Sequence, residues 1–165
     1  MLLDKTGNAA ADEWRHLADD EAAPEGDAVS VSLKRWERDH NALKGRDAKL
    51  GLHLPNTANP VALNGEVHRF ALIALEFPNF KDGRAYSQAQ LLRSRLRYKG
   101  ELRATGNVLR DQLLFMRRAG FDSFEVDGGR ALAEDWAKAF GEFDVFYQSS
   151  SDNRPWVMRQ RFPAA

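Results

Sequence analysis

From Val29 onward, short runs of apolar and β-branched residues alternate with segments whose apolar side chains recur at helical spacing, the signature of strands joined by helices. Val29–Ser32 predicts the first strand. The stretch 34–43 predicts a helix with Trp36 and Leu43 on one side, closed by Gly45. Leu50–Leu54 predicts the next strand, 55–60 a turn-rich loop, and 61–67 a short helix interrupted by Asn64-Gly65. Residues 70–77 are almost continuously apolar, the pattern of a strand buried on both faces, and Pro78 ends the run.

Ser87 is the predicted N-cap of a helix over 87–98, where Leu91, Leu92 and Leu96 fall at helical spacing before Gly100. A short strand over 101–105 leads to a helix over 108–119 with Leu109, Leu113 and Met116 as its stripe and Gly120 as its stop. A strand over 123–127, a helix over 131–143 with Leu132, Trp136 and Phe140 in line, and a last strand over 144–148 complete the series. Arg154, Pro155 and Trp156 read as a packed tail. Strands alternating with helices predict an α/β fold whose mainly parallel sheet has right-handed crossovers. The reading preferred from length is an open, doubly wound sheet; the alternative is an incomplete βα barrel, because a full eight-stranded barrel takes about 250 residues. Residues 1–28 carry Trp14 and Leu17 as isolated anchors after Leu3 and read as a loosely attached segment, leaving 29–165 as one α/β domain.

The chain has 165 residues, 43% of them hydrophobic and none of them Cys. Disulfides, thiolate nucleophiles and Cys-ligated metal centres are therefore excluded. Lys+Arg and Asp+Glu are both 24, and that balance argues against nucleic acid as a partner. The apolar runs are far short of a bilayer span and no signal-peptide core follows Met1, so no membrane partner and a cytoplasmic location are expected. The neutral total conceals an asymmetry of net +7 over 81–120 and net −5 over 121–147. Arg93, Arg95 and Arg97 fit a solvated helix face paired with neighbouring acids.

Ligands of parallel α/β sheets bind beyond the carboxyl ends of the strands. The loop over 78–87 is long for such a connection, and Thr105-Gly106-Asn107 and Asp127-Gly128-Gly129-Arg130 each precede a predicted helix. Arg84 and Arg103, with Thr105 and Asn107, are the candidate anion-binding residues for a small oxyanion, since a guanidinium grips oxyanions bidentately. Glu76 and Glu125, near the ends of two predicted strands, are candidate acid and base, or they neutralise Arg103 between them. Tyr86 is a candidate proton donor or a hydrophobic staple at a helix start. His16, His40, His53 and His68 show no metal-ligand spacing, no nucleotide fingerprint or nucleophile elbow is present, and neither a metal nor a cofactor is expected.

Residues 77–87, the triplet Leu91-Leu92-Arg93, and residues 100–113 and 118–122 together resemble an uncharacterised bacterial domain-of-unknown-function family. That family is encoded beside the sulfite/nitrite reductase haemoprotein and is described as a probable oxidoreductase in sulfite reduction. The resemblance runs over about 29–146 and is densest over 77–124. It implies an accessory role in assimilatory sulfite reduction, with the haemoprotein or a small oxyanion as partner; the alternative is a small oxidoreductase or acid–base enzyme of sulfur assimilation using Tyr86, Glu76 or Glu125. Ala85 stands where the family commonly has Gly, Asn107 where it has Asp, and Ala119 where it often has Cys, so a thiol at that last position is not available here.

Overall fold

The computed structural model describes residues 1–63, 65–127, 133–143, 145–151, 156–157 and 161. Among the described residues, eight strands form one sheet: β1 (Leu2–Asp4), β2 (Ala9–Ala10), β3 (Arg15–His16), β4 (Val29–Ser32), β5 (Leu50–Leu54), β6 (Leu72–Phe77), β7 (Glu101–Gly106) and β8 (Ser123–Glu125). Strands β3 to β8 lie side by side in chain order and all run parallel, while β1 joins β8 antiparallel and β2 joins β1 antiparallel. A doubly wound sheet requires the order to reverse at a switch point. Here it never reverses, so right-handed crossovers carry every connecting helix to the same face, and the sheet curls into a half barrel. The incomplete βα barrel, not the doubly wound alternative, is therefore the arrangement that the strand order fits.

The outer face is apolar because period-two alternation sends Val29, Val31, Leu50, Leu52, Leu54, Ile73, Leu75, Phe77, Leu102, Ala104 and Phe124 to the same side. Against it pack α1 (Leu33–Arg38), α2 (His40–Lys44), α3 (Arg84–Gln90), α4 (Leu113–Ala119) and α5 (Ala133–Ala139). Trp36 and Leu43 are both buried as their spacing predicts, although the helix is broken at Asp39 into α1 and α2. Ser32 caps α1, its hydroxyl accepting from the Arg35 amide at 3.0 Å. The helix predicted from Ser87 starts earlier, at Arg84, with Gly83 as N-cap, and runs into a π-turn over Leu91–Arg95. The helix predicted over 108–119 is delayed: a 3₁₀ turn at Arg110–Gln112 precedes α4, so no helix opens at Asn107. The stretch 61–67 resolves into two 3₁₀ turns, Pro60–Leu63 and Glu66–Arg69.

The expectation that residues 1–28 are loosely attached is overturned. Leu3 and Leu17 are fully buried members of the core, β1 extends the sheet beyond β8, and β3 pairs with β4. Strands of two or three residues have no periodicity to read, which is why the alternation along the chain hid them. At the other end, residues 145–148 contribute an isolated bridge, Phe146 to Trp156, rather than a strand. Asn64, the turn at Gly128-Gly129-Arg130, Leu132 on the predicted helix stripe, Asp144 and the tail residues Arg154 and Pro155 lie outside the described residues.

Candidate functional site

The same alternation that makes the outer face apolar makes the inner face polar. Register sets Ser32, His53, Ala74, Arg103 and Ser123 in one row across five strands, with His16 beside Ser30 behind it and Glu76 beside Thr105 ahead of it. Leu72 and Ala74 are nevertheless buried, so β6 is covered on both faces as its continuous apolar run predicts. Trp14 lies against Gly51 on this inner face, where a Cβ on Gly51 would sit 3.2 Å from the indole.

Arg103 is the charged centre of the face, its side chain 5% exposed. Its Nη1 donates to both oxygens of Asp12 at 3.0 and 2.9 Å, its Nε and Nη2 donate to Glu101 at 3.2 and 3.1 Å, and Glu125 stands 3.9 Å away. Glu101 also accepts from the Ser123 hydroxyl at 2.5 Å. A buried guanidinium costs several kcal/mol unless it is paired, and these carboxylates supply the pairing. Asp12 comes from the amino-terminal segment, so that segment completes the charge balance of the inner face.

Toward the carboxyl edge lies a trough of about 470 Å³ lined by His16, Ser32, His53, Glu76, Thr105 and Glu125 among others. The Ser30 hydroxyl lies 3.1 Å from His53 Nε2 and 3.4 Å from His16 Nδ1, and the two imidazole rings are 4.0 Å apart. Burial, then the positive charge of His16 and Arg103, pulls the His53 pKa down to about 4, so His53 is a neutral hydrogen-bonding group at neutral pH. Thr105 spends its hydroxyl on the Leu75 carbonyl at 3.4 Å. Glu76 is exposed on the trough wall and, among the described residues, has no hydrogen-bond or ion-pair partner.

Of the three acid–base candidates, the structure brings Glu76 and Glu125 to one trough and sets Tyr86 on the other side of the sheet. Tyr86 packs edge-on to Phe77 at 5.2 Å, and Phe77 points outward because it follows Glu76 in the strand. Burial, and then the charge of Asp111, pushes the Tyr86 phenol up to about 12. The four anion-binding candidates are likewise divided. Arg84 stands on the helical layer, its Nε 2.9 Å from Asp82 Oδ1 and its Nη2 2.6 Å from Oδ2, and this pairing holds the Asp82 pKa at about 2. Arg103 and Thr105 are on the inner face, and Asn107 is in an exposed turn where its amide donates to the Phe77 carbonyl at 2.7 Å.

His16, His53 and Ser30 are the residues that reading for local spacing passes over. Their signal was the apolar–polar alternation of Val29–Ser32 and Leu50–Leu54, which marks one strand face as polar. No group of three or more His, Asp or Glu is placed to hold a metal among the described residues, and no helix there is long and apolar enough to cross a membrane.

Fold and site together define a mixed α/β protein: a mostly parallel, curled half-barrel sheet with helices outside and an ionised, hydrogen-bonded inner face. The chain belongs to a bacterial protein family of unknown function, DUF934, whose model matches residues 51–157. No curated protein matches it at a significant level.

Proposed function

We propose that this protein serves assimilatory sulfite reduction as a small acid–base protein, with the carboxyl-edge trough as its working site. The role in sulfite reduction rests on the resemblance carried by residues 77–87 and 100–113. The observation that carries the site is the convergence of Glu76, Glu125 and neutral His53 in one trough at the carboxyl ends of the parallel strands β6, β8 and β5, where such folds bind ligands. Glu76, unpaired and solvated, takes a proton from a small polar ligand; Glu125, 3.9 Å from Arg103, also lines the trough; His53 and Ser30 orient the ligand by hydrogen bonds.

An accessory role beside the sulfite reductase haemoprotein is the second reading. It is favoured by the large apolar side chains left in solvent, Phe80 at 56%, Phe115 at 52% and Tyr147 at 79% exposure, since such groups are common at docking surfaces.

Growth tests the proposal. A host lacking this gene is expected to fail on sulfite as sole sulfur source, to grow on cysteine, and to be rescued by the parent chain. The Glu76→Gln, Glu125→Gln double variant, first checked for a parental melting profile, is expected not to rescue. Full rescue by that variant would remove the trough as the site; normal growth of the deletion host on sulfite would remove the pathway.

A further inference from the structure

At the opposite, amino edge of the sheet lies a second concavity of about 520 Å³, lined by Lys5, Arg93, Ser94, Arg97, Arg117 and Gly120 with Phe121, Asp122 and Ser151. Its cations are of two kinds. Arg93 is built into the framework: Nε donates to the Gly120 carbonyl at 2.9 Å, Nη1 to the carbonyls of Tyr98 and Gly100 at 2.8 and 2.9 Å, and Nη2 to Asp122. Arg117 donates to the Phe140 carbonyl at 2.8 Å and lies over its ring. Lys5 and Arg97, by contrast, have no hydrogen-bond or ion-pair partner among the described residues, and both side chains stand at the rim.

The backbone singles out Arg97. Its φ is +55°, and among the described residues it is the one non-glycine in the left-handed region. That conformation costs an L-residue about 1–2 kcal/mol, which glycine avoids. The preceding turn is a π-turn over Leu91–Arg95, closed by the Leu96 amide on the Leu91 carbonyl at 3.0 Å, a wide turn that recurs at functional sites. A strained arginine without a partner, carried past a π-turn to the rim of a cationic hollow, is a side chain held for something the chain itself does not supply.

We infer that this amino-edge hollow is an oxyanion site, with Arg97 and Lys5 as the ligand-gripping cations and Arg93 as the fixed positive wall behind them. The ligand class is a tetrahedral dianion, either free sulfate or phosphate or the phosphate monoester of a small molecule. Arg97 supplies a planar fork for two of its oxygens and Lys5 a point charge for a third. The site shares no residue with the carboxyl-edge trough and stands whether or not that trough is catalytic.

The test uses the full chain and reads thermal midpoints against sulfate, phosphate and adenosine monophosphate, with sodium chloride at matched ionic strength. Saturable stabilisation by the dianions beyond chloride is expected; a larger response to the nucleotide assigns the site to esters, an equal one to the free ion. Arg97→Gly removes the guanidinium and relaxes the left-handed backbone together, so it is expected to fold at least as stably as the parent and to bind at least tenfold more weakly. Lys5→Gln is expected to weaken binding in the same direction. Stabilisation no greater than that by chloride, or an undiminished dianion response in folded Arg97→Gly, would overturn the site.

Discussion

His53 is half-sunk in the inner face with its Nε2 beside the Ser30 hydroxyl, and it titrates near 4 rather than near 6.5. The unfolded chain takes up that proton at the higher value, so between the two the unfolded state binds more protons and stability rises with pH. Acidification from pH 7 to pH 4 should cost about 3 kcal/mol through this one group. Urea midpoints measured across that range are expected to fall steeply for the parent and less steeply for His53→Gln; parallel slopes would show that other groups carry the acid sensitivity. Gly106 makes a second case. Its φ is +85° and a Cβ there would sit 2.5 Å from the Phe77 carbonyl oxygen, so Gly106→Ala is expected to destabilise by about 2–4 kcal/mol, read as a lowered melting temperature. The turn it permits lets β7 end where the trough begins. Neither effect was visible from residue identity: a histidine between leucines and a glycine after a threonine are common, and their consequences come from what lies across the sheet.

At the scale of elements, β6, the Trp36–Leu43 side and the Leu113 and Met116 positions of α4 were legible because burial repeats along each element with its own period, whereas Leu109, expected on that last stripe, precedes the helix and is exposed. Helix starts were less so. Ser87 has the chemistry of a cap, but tertiary contacts begin α3 at Arg84, since Ala85 and Ala89 both pack into the core and need the earlier turn. The short amino-terminal strands were not legible at all, and their weight is testable. Leu17 is a fully buried member of the core, and Leu17→Ala is expected to cost about 2–5 kcal/mol by denaturant unfolding. A change within experimental error would show that the core closes over the gap. Trp136 gives the converse case: expected to be enclosed, it is only partly buried at the margin of the core, so its truncation should cost less than the about 3–5 kcal/mol of a fully enclosed aromatic.

For the whole molecule, the amino-terminal segment is the piece on which the half barrel depends. It supplies Leu3 and Leu17 to the core, a carboxylate to Arg103, an indole to the inner face and neighbours to β4 and β8. Removing residues 1–27 is therefore expected to abolish cooperative unfolding, monitored by near-ultraviolet circular dichroism; a truncated chain that melts like the parent would return the segment to a peripheral role. The alternation of strands and helices, the apolar outer face and the separation of basic from acidic stretches were all determined by the sequence itself, because each is a local pattern of period two, period 3.6 or net charge. The order of the strands, the curl of the sheet, the meeting of His16 with His53 and the pairing of Asp12 with Arg103 were decided only by the tertiary structure. Each of these depends on which strand lies beside which and in what register, and no periodicity along one strand records its neighbour.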